Sequence, residues 1–327
     1  GGLNSGLHNE SEMRCPRSPQ SGLRGMAEVD VFLIGAPKAG TTWLAHVLDQ
    51  HPGIVLSDPK EPNIIASHRG TFLRVEEEPD WSRYEGCFSN DGLRLDASVH
   101  TFACPMAPQR IRDRLPKARF ILCLREPVSR AVSHWNMVRN TREAINNGVD
   151  WAGFESAWDD ERLRVDSMYG TSMRRWLDHF ELDQFIIIDS SRMKTEPLDV
   201  LQDIENFLKL GPGQYDLDMS RHSNRARSRR PMTTFGKIIG SVFSVIPGPV
   251  KLPIVRYLQK RDLNIYRLPI LSRRGIMVPL DDGHYRICGE EMCGELELFE
   301  SLTGYETSAW KEEIQRRIGN KGITSGL

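Results

Sequence analysis

Residues 31–44 read VFLIGAPKAGTTWL, an apolar strand that runs into a tight loop and then a helix. The loop, Gly35-Ala36-Pro37-Lys38-Ala39-Gly40-Thr41-Thr42, is composed for an anion. Gly35 and Gly40 let the backbone come close to a ligand. Lys38 adds a mobile positive charge, and Thr41 and Thr42 add hydroxyl donors. The loop ends where a helix should begin, and a helix N-terminus carries roughly half an elementary positive charge. Converging amides, dipole and lysine make a socket for a phosphate-like group. A glycine-rich strand–helix turn that binds nothing is the plainer alternative.

A second stretch, RFILCLREPVSRAVSHW at residues 119–135, offers a second socket. Phe120 to Leu124 is a short unbroken apolar run, the pattern of a strand buried on both faces. Arg125 follows at its C-terminal end, and Pro127 opens a helix at a position where proline is tolerated. Ligands of open α/β sheets bind at the carboxyl ends of strands, so Arg125 is expected in the same crevice as the first loop. Its guanidinium fork suits a terminal phosphate. Ser133, two turns along the helix, would add a hydroxyl to the same oxygens. A structural ion pair is the alternative for Arg125, and Arg130 reads as a solvated helix charge. Two sockets on one crevice call for a ligand with anions at both ends.

The loop order is not that of ATP and GTP enzymes, G-x-x-x-x-G-K-[ST], where lysine follows the second glycine and the next hydroxyl binds Mg²⁺. Here Lys38 precedes Gly40, and Thr41 stands in the usual lysine position. Gly-x-x-Lys-x-Gly-Thr-Thr resembles the 5′-phosphosulfate loop of sulfotransferases that use 3′-phosphoadenylyl sulfate (PAPS). Leu124 to His134 resembles their 3′-phosphate motif, Leu-Arg-x-Pro-x-x-Arg-Ala-x-Ser-His. The resemblance covers Val29 to Trp310 and is weak after residue 220. It implies an α/β three-layer sandwich with a central parallel sheet of about five strands, like that of P-loop-containing nucleotide hydrolases. It also implies PAPS as donor and PAP as product, held by Pro37, Lys38, Ala39, Gly40, Thr41, Thr42, Trp43, Arg125 and Ser133. A P-loop kinase using ATP–Mg²⁺ and a non-catalytic nucleotide-binding protein remain the alternatives.

In such an enzyme a sulfuryl group moves in line to an acceptor hydroxyl or amine, and Lys38 would stabilise the charge that builds on the bridging oxygen. A general base must take the acceptor's proton. Asp58-Pro59-Lys60-Glu61-Pro62 follows the predicted strand Ile54 to Leu56. Heparan sulfate sulfotransferases have a Lys-Glu pair at this point with the glutamate as proposed base, which carries that role to Glu61 and sets Lys60 beside the transferring group. An exposed charged turn is the alternative. His100, just past the predicted strand Leu93 to Ala97, is the second candidate base, against a purely structural histidine. No metal is implied.

Later segments fit more loosely. Phe185 to Asp189 reads as another buried strand. Pro197 to Leu210 has helical apolar spacing at Leu198, Leu201, Ile204, Phe207 and Leu208 and should stop at Gly211. Tyr169-Gly170 precedes a helix with Met173, Trp176, Leu177 and Phe180 on one face; the face reads as core, with Tyr169 open to the nucleotide edge. RHSNRARSRR at 221–230 places five arginines within ten residues; in the enzymes this chain resembles, a loop in this region closes over the nucleotide, and the resemblance implies that role for Arg227 or a neighbour. A solvated segment or a patch for an acidic partner is the equal alternative. Residues 235–258 are apolar but broken by Pro247, Pro249 and Pro253, and the unbroken run Ile238 to Ile246 is too short to span a bilayer, which needs about twenty apolar residues. A last helix is expected from Gly283 to Ser301, started by Pro279-Leu280-Asp281.

The 327 residues are 39% hydrophobic and 27% charged with a net charge of -1, a normal globular balance with no general pull toward nucleic acid or membranes. Six cysteines do not make a disulfide scaffold, although Cys288 and Cys293 invite a test of pairing. Residues 1–27 read as a disordered tail, 28–312 as one sulfotransferase domain and 313–327 as a C-terminal tail. The expected acceptor is a small molecule or a carbohydrate, with no nucleic acid partner and no stable membrane insertion. A cytoplasmic location is expected, with the Golgi lumen open if an anchor precedes this stretch.

Overall fold

The computed structural model describes residues 30–89, 92–218 and 277–319. The five apolar runs form strands β1 (Val31–Gly35), β2 (Ile54–Leu56), β3 (Leu93–Asp96), β4 (Arg119–Leu124) and β5 (Phe185–Asp189). They make one sheet in the order β2-β3-β1-β4-β5, and every pairing is parallel. Phe32 on the central strand lies opposite Asp96 on one side and Phe120 on the other. Leu33, Ile34 and Phe120 to Leu124 are fully buried, because a strand covered on both faces has no side left for polar residues. Phe120 anchors the core through ring contacts with Phe32, Trp176, Phe180 and Phe185.

Helices flank the sheet. Through the first half run α1 (Thr41–Leu48), α2 (Trp81–Glu85), α3 (Ala107–Arg114) and α4 (Pro127–Thr141). Short helices α5 (Glu143–Asn146), α6 (Phe154–Asp159) and α7 (Glu161–Arg164) lead to α8 (Tyr169–Leu177). After β5 come α9 (Arg192–Thr195), α10 (Pro197–Leu208), α11 (Asp282–Thr303) and α12 (Ser308–Gly319). Asp281 caps α11 by accepting from the His284 amide, the start anticipated from the sequence. Helix α10 ends at Leu208, two residues before the expected last residue Leu210, with Lys209 in the left-handed conformation at φ 58°. Leu198, read as an apolar contact of that helix, points outward and is 60% exposed. Helix α12 runs through position 312 to Gly319 because Ile314 is fully buried. The expected tail of 1–27, Arg227 with its arginine run and the apolar stretch 235–258 lie outside the described residues. Cys288 and Cys293 are both free thiols on α11.

Helices α8 and α11 cross at Gly170, where a side chain would have no room. A Cβ there would lie 2.6 Å from the Glu295 carbonyl oxygen and 2.7 Å from Leu298 Cβ. The Glu295 carboxylate then fixes the crossing, accepting from the Thr171 amide at 2.8 Å and from the Thr171 hydroxyl at 2.5 Å. Replacing Gly170 with alanine should therefore destabilise the fold by about 1–3 kcal/mol through overpacking. Urea unfolding followed by tryptophan fluorescence reads this out; an unchanged midpoint would contradict the tight crossing.

Candidate functional site

β1 delivers the chain to Gly35, and the loop beyond it turns through left-handed backbone at Lys38 (φ 73°) and Gly40 (φ 84°). Gly40 suits its place twice over, since a Cβ there would also lie 2.8 Å from Met193 Cε. Lysine in that conformation costs about 1 kcal/mol or more, and the turn carries its side chain toward α4, with Nζ 3.7 Å from Met137 Sδ. Pro37, Ala39 and Thr41 are buried, while Thr42 and Trp43 are half-buried in the first turn of α1. Among the described residues no side chain caps this end of α1, whose first amides point out of the helix.

Arg125 leaves the C-terminal end of β4 beside this loop, and three contacts set its position. Its Nη1 donates to the Lys38 carbonyl at 3.4 Å, and its Nη2 donates to Ser129 Oγ at 2.6 Å. The Tyr169 hydroxyl donates to its carbonyl oxygen at 2.9 Å. Tyr169 is fully buried, so it serves the crevice from behind. Ser133 lies one turn beyond Ser129, half-buried and on the same helix. Ser129 was missed in the sequence, although its i, i+4 spacing from Arg125 was a usable signal.

At the ends of β2 and β3 the Lys60-Glu61 turn is stitched to the sheet. The Lys60 carbonyl accepts from the Ala97 amide at 3.2 Å and from Ser57 Oγ at 3.0 Å. The Asn63 amide donates to Ser98 Oγ at 3.1 Å. Lys60 Nζ and Glu61 Oε1 form an ion pair at 2.5 Å, with the lysine side chain 14% and the glutamate 32% exposed. Beneath the turn, the buried Asp96 accepts from the Ser98 amide at 2.8 Å. Burial raises the Asp96 carboxyl to about 6, against the pull of its Ser98 hydrogen bonds; Glu61 adds to the rise and Lys60 opposes it.

His100 joins a different group. Its Nδ1 lies 3.1 Å from Asp166 Oδ2, and its side chain is 9% exposed. Asp166 sits 3.7 Å from His134 Nδ1. Burial raises the Asp166 carboxyl, but His100 and Arg130 outweigh it and hold the group well below the usual carboxylate range. Arg130, expected in solvent, is fully buried here. It donates to Ser167 Oγ at 2.6 Å, the Leu163 carbonyl at 3.1 Å, His134 Nδ1 at 3.2 Å and the Pro37 carbonyl at 3.5 Å. The helix that carries Arg130 is covered by residues 163–167, so this face has no water to meet. Burial and Arg130 keep His134 neutral, and with Nδ1 accepting, its Nε2 proton goes to Thr71 Oγ1 at 2.9 Å. The ligand atoms of His100, His134 and Asp166 lie within 4.8 Å of one another, close enough to hold an ion by distance alone. The guanidinium already supplies the positive charge there, and the cluster is a balanced buried network.

Residues 28–240 match the family described as sulfotransferase domain. The chain belongs to that family. Among relatives of this sulfotransferase domain, the mouse heparan sulfate glucosamine 3-O-sulfotransferase 5 is 30% identical over 198 residues, 57% of this chain and 55% of that protein. The mouse bifunctional heparan sulfate N-deacetylase/N-sulfotransferase 4 is 29% identical over 195 residues, 55% of this chain and 22% of the relative. The chain thus spans about half the length of the first relative and about a fifth of the second. A sulfotransferase structure from Alicyclobacillus acidocaldarius aligns over 87% of this chain and 99% of its own at TM-score 0.57 and 19% identity, a likeness of fold.

The raised Asp96 carboxyl has a consequence for stability. A carboxyl at about 6 when folded and 3.8 otherwise holds its proton more tightly in the native state. Its contribution is fully present below pH 3.8 and is lost as pH rises through about 6. Asp96→Asn keeps an acceptor for Ser98 and removes the titration. The variant should gain on the order of 1–3 kcal/mol relative to wild type between pH 4 and pH 7. Urea unfolding across that range checks it, and parallel pH profiles for the two proteins would contradict it.

Proposed function

We propose that this sulfotransferase domain moves the sulfuryl group of PAPS to a carbohydrate hydroxyl. The observation that carries the reading is the approach of Arg125 to the Lys38 carbonyl, which joins two anion sockets in one crevice. The residues suit such a donor: loop amides and the first turn of α1 for the 5′ side, Arg125 and Ser133 for the 3′-phosphate. Lys38 is assigned to the bridging oxygen, where negative charge develops as the sulfur–oxygen bond breaks. Glu61 takes the acceptor's proton as the new oxygen–sulfur bond forms, and Lys60 pairs with the carboxylate and aims it. Its 32% exposure supports contact with an acceptor, whereas the His100 side chain is 9% exposed and tied to Asp166. His100 remains the second candidate base because only its Nδ1 is engaged by that carboxylate. The carbohydrate acceptor is supported by the Lys-Glu turn and by relatives named for heparan sulfate.

Calorimetric titration with PAP, ATP–Mg²⁺ and AMP tests the cofactor. PAP should bind tightest, and Arg125→Ala should weaken it by about 10- to 100-fold, the worth of a charge-assisted hydrogen bond. Preference for ATP–Mg²⁺, or indifference to Arg125, would move the kinase reading to first place.

Turnover separates the remaining roles. Lys38→Ala should lower kcat by about 10²- to 10³-fold, as for loss of one preorganised donor. Glu61→Gln should abolish sulfuryl transfer while PAP binding persists. If His100→Asn does so instead, the base is the histidine. PAP binding without turnover on any glycan acceptor would favour the non-catalytic alternative.

A further inference from the structure

The residues that hold Arg125 are themselves held by a helix far away in the chain. Glu126 is the N-cap of α4, its carboxylate accepting from the Val128 amide at 2.9 Å and the Ser129 amide at 2.7 Å. Ser129 is the residue whose hydroxyl receives Arg125 Nη2 at 2.6 Å. The oxygen that accepts from Ser129 also takes the Tyr285 hydroxyl, which donates to Oε2 at 3.1 Å. Tyr285 lies in the first turn of α11 and is 2% exposed. A second arm reaches the backbone of the same arginine. Glu295, also on α11, clamps Thr171 in the first turn of α8, two residues from the Tyr169 whose hydroxyl holds the Arg125 carbonyl.

Both arms start on α11 and end on Arg125. α11 spans Asp282–Thr303, whereas the family match ends at residue 240. We infer that Tyr285 and Glu295 are positioning residues for Arg125, so that a helix outside the matched segment sets how well the crevice distinguishes a nucleotide with a 3′-phosphate from one without. This rests on the cofactor reading above. The chemistry is a relay of orientation. Tyr285 fixes the carboxylate rotamer, the carboxylate fixes the first turn of α4, and that turn presents Ser129 to one edge of the guanidinium. The other edge stays directed at the loop and any phosphate beside it. Arg317 packs on the Tyr285 ring, 5.3 Å from its centroid, and pairs with Asp282 at 2.8 Å, which holds the tyrosine ring in place.

The test measures affinity for PAP and for AMP, which lacks the 3′-phosphate, by calorimetry on the full chain. Wild type, Tyr285→Phe and Thr171→Val are compared, each with its melting temperature. Tyr285→Phe removes one hydroxyl from a packed ring, and Thr171→Val removes the hydroxyl bond of the other arm while its amide bond to Glu295 remains. The expected result is a 3- to 10-fold loss of PAP affinity (on the order of one hydrogen bond) with AMP affinity unchanged, so the PAP/AMP ratio falls in both variants. A merely structural role would lower both affinities together and leave the ratio intact; that outcome overturns the inference. Variants that match wild type for both ligands overturn it as well. Wild type that fails to prefer PAP over AMP overturns the cofactor reading itself, which separates the two failures.

Discussion

The guanidinium of Arg130 is a charge with no access to water, placed where the loop after β1, the helix after β4 and the segment 163–167 meet. An unpaired buried charge costs several kcal/mol, so every group around it has to be arranged in its favour. Asp166 supplies the opposite charge and stays ionised, His134 gives up any charge of its own and turns a lone pair inward, and two carbonyls and a hydroxyl take three further donors. One of those carbonyls belongs to Pro37, the residue before the loop lysine. The position of the loop is thereby bound to a buried electrostatic balance as well as to the sheet.

The crevice above this network is built from ends of strands. Parallel pairing puts the C-terminal ends of β1, β3 and β4 side by side, and the register that sets Phe32 opposite both Asp96 and Phe120 fixes how far each following loop stands from the next. The Lys60-Glu61 turn follows β2 but lies beyond its end. It takes its place from hydrogen bonds to Ala97 and Ser98 at the end of β3. The turn is therefore an attachment to the end of β3, and the two halves of the crevice share one foundation.

The five strands, the loop and the arginine after β4 were legible because each is local: an apolar run, a glycine spacing, a charged residue at a strand end. The buried network was not. Asp166 and Tyr285 carry no motif, and they meet His100 and Glu126 across 66 and 159 positions of chain. Arg130 was misread for a related reason. A charged residue on a helix is normally solvated, and what buries this one is a covering segment more than thirty residues later. Leu198 erred the other way, fitting the helical spacing yet facing out, since periodicity alone does not say where an apolar stripe stops.

Asn136 exchanges a pair of hydrogen bonds with the backbone of Val278, 142 positions away, and α11 follows at once. A polypeptide emerging from the ribosome completes all five strands long before this helix exists. Until then the first turn of α4 lacks the Tyr285 contact, and α8 lacks its closest neighbour. Such long-range closure is slow relative to local structure. The sheet is thus complete in sequence before the helix that braces the crevice, whose Tyr285 and Glu295 contacts come from the last part of the chain.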